Sequence, residues 1–182
     1  LEDLEMKCGT FLMAGLASAA VAGMATADVE MFFDVDGPGS NGYTVDFEAD
    51  GALAGMNLAF DFTNAGGYTW AGDLMVTIVD PNGTGIQFGG YNLDLGYTNA
   101  GDFDSSFDTS TSGAFASNVA LESFGLSGSG TWTIGFYDGY TGGAETDNWA
   151  GVINLEGLGA VPAPGALALL GLAGLAGRRR RA

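Results

Sequence analysis

The sequence has no histidine, one cysteine and only five basic residues among 182. All five basic residues stand near the ends: Lys7, then Arg178, Arg179, Arg180 and Arg181. Residues 28–160 therefore hold no Lys, Arg or His. They hold nineteen of the 22 acidic residues, the other three being Glu2, Asp3 and Glu5. No side-chain ion pair can form within that span. Nucleic acid is excluded as a partner, because binding it needs cations that displace the counterions of the phosphates. Docking of the span on an anionic lipid surface fails for the same reason. Self-repulsion favours solubility and opposes compactness, and salt or bound divalent cations would relieve it.

The same absences bear on catalysis. Without His, Cys, Lys or Arg in 28–160, the usual nucleophile–base and oxyanion arrangements have no parts. Carboxylates remain, and a pair such as Asp138 and Glu145 suits acid–base glycoside chemistry. In a span this rich in acids such pairs arise by chance, so the chain is read as a non-enzyme. Cys8, the single cysteine, lies before an apolar run and not after it, which argues against lipid attachment. The domain that follows has no disulfide and no reactive thiol.

What the sequence does contain begins with two processing segments. Met6 is taken as the start, with Lys7 as a basic n-region, an apolar run from Phe11 to Val21, and the small-x-small site Ala25-Thr26-Ala27. This order predicts a signal peptide over 1–27, a helix removed by signal peptidase after Ala27. Residues 159–182 form the second segment. Val161-Pro162-Ala163-Pro164 precede an Ala/Leu/Gly stretch over 165–177 and the four arginines. At ~1.5 Å per residue the apolar stretch reaches roughly 20 Å as a helix, short of a bilayer crossing. A short helix with arginines held inside suits transient membrane insertion. The three parts in this order resemble the PEP-CTERM sorting signal, with Ala163 where the family name implies Glu. That resemblance implies an exosortase-like sorting enzyme as partner and display on the surface, or in the extracellular matrix, of a Gram-negative-type bacterium. A plain membrane-anchoring tail is the alternative reading.

The span 28–158 reads as strands separated by Gly, Asn and Asp clusters. Thr44–Ala49 alternates, with Val45 and Phe47 predicted inward and Asp46 and Glu48 outward. Leu58, Phe60 and Phe62 share a face. Leu74–Val79 is nearly all apolar, as in a central strand. Asp80-Pro81-Asn82-Gly83 predicts a β-turn with Gly83 at positive φ. Trp132, Ile134 and Phe136 form another inward row, and Trp149, Gly151, Ile153 and Leu155 the last. No stretch has a helical period. The predicted fold is all-β, an antiparallel β-sandwich of jelly-roll type flanked by the signal helix and the short C-terminal hydrophobic helix.

Three motifs in order carry a second resemblance. Tyr68-Thr69-Trp70-Ala71-Gly72-Asp73-Leu74 runs on to Ile78-Val79-Asp80-Pro81-Asn82-Gly83-Thr84; then come Gly130-Thr131-Trp132-Thr133-Ile134 with Asp138; then Trp149. Together they resemble the P domain of proprotein convertases over about 68–155. Ala71 stands where that family usually has Arg, and no His precedes the Gly-Asp-Leu. The resemblance implies a jelly-roll β-sandwich and a role as accessory to a secreted protease.

Candidate sites divide into metal ligands and rings. Calcium wants six to eight oxygens from carboxylates and carbonyls. The candidate groups are Asp34, Asp36 and Asn41; Asn99, Asp102, Asp104 and Asp108; and Asp138, Glu145, Asp147 and Asn148. Asp34 and Asp36 project to one side of an extended chain, so both are expected to reach one ion. The competing reading is ordinary Asx-rich loops, in which Asp73 and Asp138 hydrogen-bond turn backbone. Among the rings, Trp70, Tyr91, Tyr97, Tyr137 and Tyr140 fall at strand ends or loops and suit a saccharide platform. Trp132 and Trp149 are assigned to the core, and packing is preferred for Trp70. The expected function is that of a secreted, surface-sorted, non-catalytic interaction or matrix protein that meets polysaccharide or another envelope protein. A carbohydrate-binding module and a protease accessory domain are the alternatives.

Overall fold

The computed structural model describes residues 28–36, 42–66, 68–140 and 147–161. The signal segment with Ala25 and Ala27 lies outside the described residues, as do Asn41, Glu145 and the tail from Pro162 to Arg181. Val161 is described and exposed.

The chain forms eight strands: β1 (Val29–Asp36), β2 (Gly42–Thr63), β3 (Leu74–Val79), β4 (Gly85–Gly89), β5 (Thr98–Asn99), β6 (Gly113–Ala120), β7 (Ser127–Asp138) and β8 (Asn148–Ala160). Among the described residues the only helical pieces are three single 3-10 turns, at Ala71–Asp73, Ser105–Phe107 and Glu122–Phe124. None is long and apolar enough to cross a membrane. The all-β expectation is met. The strands make one open hydrogen-bonded sheet in the order β1-β8-β2-β7-β3-β4-β5, with β6 also on β2. Every pairing is antiparallel except β4 with β5, where Ile86 faces Thr98 and Gln87 faces Asn99 in parallel. That short parallel pair departs from the antiparallel expectation.

The 22-residue strand β2 organises the sheet. Its first half, Gly42–Ala52, pairs with β7. Its second half, Gly55–Phe62, pairs with β6, and β8 runs along the other side. Phe33 lies in the row of Gly151 and Phe60, and Phe136 lies opposite Tyr43. In a straight strand Tyr43 and Phe60 would be roughly 55 Å apart at ~3.3 Å per residue. Yet the rings of Phe33 and Phe136 stack at 4.6 Å. The strand must therefore double back, and the single sheet folds into two facing layers.

The corner lies at the register shift between Gly51 and Gly55. There β2 carries Ala52, Leu53 and Ala54 against the single residue Gly157 of β8, a bulge that turns the strand. Gly51 and Gly157 have φ of 137° and 85°. A Cβ on Gly157 would sit 2.4 Å from the Ala52 carbonyl oxygen, and one on Gly51 would sit 2.3 Å from the Gly157 carbonyl oxygen. The backbones cross too closely there for side chains.

The apolar rows read from the sequence close the core. Leu58, Phe60, Phe62, Trp132, Ile134, Phe136, Trp149, Ile153 and Leu155 are all buried, as is β3 apart from half-buried Val79. The Asp80–Gly83 turn forms as predicted. Gly83 has φ 83°, and Asp80 Oδ1 accepts from the backbone N–H groups of Asn82 and Thr84, both at 2.9 Å. Val45 differs from expectation. It shares a face with Ile134, its partner in register, but remains 37% exposed, and Phe47 is half-buried. β8 reaches the first half of β2 only at Ala49–Gly51, so Val45 stands at an uncovered edge of its layer. Alternation set its face but not its cover.

Candidate functional site

Pairing brings three chain segments to one rim. Leu74 opposes Asp138 across β3 and β7, and Met75 opposes Gly89 across β3 and β4. The start of β3, the end of β4 and the end of β7 therefore lie side by side. Backbone hydrogen bonds tie them together: Gly139 N–H donates to the Asp73 carbonyl at 2.7 Å, Gly90 N–H to that of Leu74 at 3.0 Å, and Asn92 N–H to that of Gly139 at 3.2 Å. Gly139 has to be small, because a Cβ there would lie 2.5 Å from Gly90 Cα.

At this rim Tyr68, Trp70, Asp73, Tyr91 and Tyr140 line a cleft of about 310 Å³. Tyr68 is 81% exposed, Tyr91 74% and Trp70 44%, whereas Asp73 is only 7% exposed. Four rings thus stand around one recessed carboxyl group. The rings of Tyr91 and Tyr140 lie 6.2 Å apart and tilted by 48°, forming a corner and not a flat shelf. A second cleft of about 500 Å³ shares Trp70, Asp73 and Tyr91 and continues past Gln87, Asn99, Asp102 and Asp108. Gln87 Oε1 accepts from Leu95 N–H and Asn99 Oδ1 from Gly101 N–H, so their amide N–H groups remain as donors for a ligand. One arm of the composite cleft is ring-lined and the other polar, and their volumes match those of small-molecule sites.

The Trp70–Asp73 turn holds the site. Asp73 Oδ2 accepts from Trp70 N–H at 2.7 Å, and Ala71 N–H donates to the Thr109 carbonyl at 2.9 Å. The buried Trp149 indole donates from Nε1 to the Ala71 carbonyl at 3.1 Å, fastening the turn to the core. Burial pushes the Asp73 carboxyl up to about 6. The Trp70 hydrogen bond opposes the rise, and the charges of Asp147 and Asp108 add to it. Because the folded-state value is raised above 3.8, the folded state binds the proton more tightly. Its contribution to stability is complete below pH 3.8 and is lost as pH rises to about 6. With solvent at the cleft mouth the loss is on the order of 1–2 kcal/mol. The stability difference between wild type and Asp73→Asn is expected to shift by that amount between pH 4 and 7, in favour of the variant at higher pH. Urea melts at both pH values measure it, and a pH-independent difference would refute the assignment.

Among the described residues, those proposed as metal ligands do not form a cluster of three or more. Asp34 and Asp36 do lie near each other, but Asn148 Nδ2 donates to both carboxylates, at 2.6 and 3.0 Å, where an ion was expected. Asp104 Oδ1 accepts from the N–H and hydroxyl of Ser106, and these bonds hold its carboxyl below the usual range. Asp102 lines the polar arm of the cleft. Asp138 Oδ1 accepts from Tyr140 N–H, and Asp147 Oδ1 from Ala65 N–H, at 2.9 and 2.8 Å. Asp147 is 1% exposed, and its Oδ2 has no partner among the described residues. Among the described residues no three acidic, His or Cys side chains come together as a metal would require. Asp73 and Asp138 thus bond turn backbone, as the competing reading held.

Of the expected rings, the cleft unites Trp70, Tyr91 and Tyr140. Tyr97 and Tyr137 lie elsewhere, over the backbone of Gly85 and of Gly42 and Gly135 respectively. Trp70 lines the cleft half-exposed where packing was preferred. Tyr68 was missed as a ligand ring, although it stands two residues before Trp70 in the same motif.

A larger concavity of about 750 Å³ includes Phe32, Tyr43, Ala59, Phe115 and Val152. Beside it, Asn118 donates to Asn57, and Asn57 donates to Glu156 at 2.5 Å. The larger concavity also carries rings and two carboxylates, Asp34 and Asp61, but it is shallower and more open to solvent than the rim cleft.

No protein-family model and no curated protein matches the chain. Among solved structures it is similar to a chain of the Aeromonas sobria serine protease–chaperone complex, at 14% identity and TM-score 0.34, covering 75% of this chain and 28% of that one. It is also similar to infectious bursal disease virus Gx strain, at 13% identity and TM-score 0.25, covering 85% of this chain and 47% of the viral one. The chain thus spans under a third and under half of these two, and at such TM-scores the likeness assigns neither family nor function.

Proposed function

We propose that this chain is a non-catalytic envelope protein, exported and sorted to the bacterial surface, whose β-domain binds a saccharide in the rim cleft. The observation that carries this reading is the ring set of Tyr68, Trp70, Tyr91 and Tyr140 around one recessed carboxylate. Sugar rings present C–H faces that stack on aromatic side chains, and their hydroxyls need the amide and carboxylate groups that line the adjoining arm. The absence of any Lys, Arg or His from 28–160 supports binding over catalysis. Surface display rests on the signal-like and sorting-like ends and would place the cleft among extracellular polysaccharides.

Trp70→Ala and Tyr91→Ala are each expected to weaken saccharide binding by about tenfold or more, roughly 1.4 kcal/mol per tenfold. The melting temperature of Tyr91→Ala should stay near wild type, because that ring is 74% exposed, whereas half-buried Trp70 gives up some packing as well. A glycan array screened with wild type and both variants reads the effect, and a flat wild-type response would remove the proposal. Calcium belongs to this reading as an ion that relieves the charge of the domain. Millimolar calcium is expected to raise Tm above the rise given by sodium chloride of equal ionic strength. Equal rises would assign the whole effect to screening.

A further inference from the structure

Within the cleft, Asp73 is a carboxylate without a counter-ion. Its Oδ2 is held by Trp70 N–H, while Oδ1 has no hydrogen-bond partner among the described residues. Residues 28–160 contain no cation to pair with it, and the neighbouring charges that act on it, Asp147 and Asp108, are negative too. A neutral sugar would leave this carboxylate with hydroxyl donors only and would add nothing against the repulsion. A positive group would answer both.

The rings point the same way. Tyr91 and Tyr140 meet at 48°, a corner that suits a compact charged group, while the exposed rings of Tyr68 and Trp70 are left for the sugar face. Tyr68 and Trp70 complete the surround, and aromatic faces attract ammonium groups through their quadrupoles. The second arm argues against a simple organic cation. Gln87, Asn99, Asp102 and Asp108 offer hydrogen-bonding groups beyond the rings, which suits a ligand bearing several hydroxyls next to its charge.

We propose that the saccharide selected by this cleft carries a free primary ammonium, as a hexosamine without its N-acyl group does, and that Asp73 Oδ1 accepts from that ammonium between the four rings. The proposal rests on the saccharide reading of the same cleft and narrows it to one chemical class. The bond is charge-assisted on both sides and is correspondingly strong.

The test is a set of titrations of the purified domain-bearing chain, at neutral pH and moderate salt, read by calorimetry. The probes are a glucosamine tetramer, its fully N-acetylated counterpart and choline. Wild type is expected to prefer the free-amine tetramer by at least about tenfold. Asp73→Asn is expected to bring the two tetramers near parity by losing the amine preference, while retaining binding to the acetylated form. Asp50→Asn removes the same charge from an exposed position on β2 and is expected to keep the preference. An equal fall in both variants would reduce the effect to general charge and overturn the proposal. Equal wild-type affinity for the two tetramers would overturn the ammonium inference and leave the saccharide reading standing. Binding of choline with neither tetramer bound would overturn the saccharide reading, and the proposal with it.

Discussion

Gly157→Val is expected to destabilise the domain by about 3–5 kcal/mol, because it places a branched side chain where two backbones cross. Two costs combine. Gly157 has φ 85°, a left-handed conformation that costs a β-branched residue on the order of 1–3 kcal/mol. Its Cβ would also lie 2.4 Å from the Ala52 carbonyl oxygen, a backbone atom that can move only if the corner opens. Gly83→Ala is the control. Gly83 has φ 83° but nothing within 4 Å of its Cβ position, so only the conformational cost, about 1 kcal/mol, is expected. Urea unfolding of both variants separates strain from collision. If Gly157→Val cost no more than Gly83→Ala, the close approach of β2 and β8 at the corner would not constrain that position.

Trp149→Ala is expected to cost about 3–5 kcal/mol and to abolish binding in the cleft. The indole is fully buried, and its ring packs at 5.3 Å from Phe62. Against a total stability of about 5–15 kcal/mol, removing it takes a large share. The link to the site is the hydrogen bond from Nε1 to the Ala71 carbonyl, within the turn that carries Trp70 and Asp73. Trp149→Phe separates the two roles. It keeps most of the packing and loses the bond, so about 1–2 kcal/mol of stability is expected to go. The Trp70–Asp73 turn, released from the core, should then bind saccharide more weakly than wild type. Unchanged affinity in a folded Trp149→Phe protein would mean that the turn is held by its other bonds, chiefly Ala71 N–H to Thr109.

These variants also mark what was readable in advance. Trp149 was assigned to the core from its place at the head of an alternating row, and it is there. Gly157 carried no signal, since one glycine among 32 looks like any other until β2 is seen to pass it. The loop acids show the same limit. Asp34 and Asp36 do share a side, as extended geometry requires, but the group that meets them is Asn148, more than a hundred residues away. Tyr68, Trp70, Tyr91 and Tyr140 come from three separate loops. Only the pairing of β3 with both β4 and β7 brings them together.

The sequence by itself determined the all-β class, the buried rows of β2, β3, β7 and β8, the Asp80–Gly83 turn and the wholly negative side-chain charge of residues 28–160. Each follows from local or additive properties. Side chains alternate with period two along a strand, a turn is written in four consecutive residues, and charge is a sum. Tertiary structure alone decided the fold-back of β2, the exposure of Val45, the Asn148 bridge and the ring-lined cleft. Those depend on register between distant strands and on how closely backbones approach, and both are set by the packing of the whole core rather than by any segment within it.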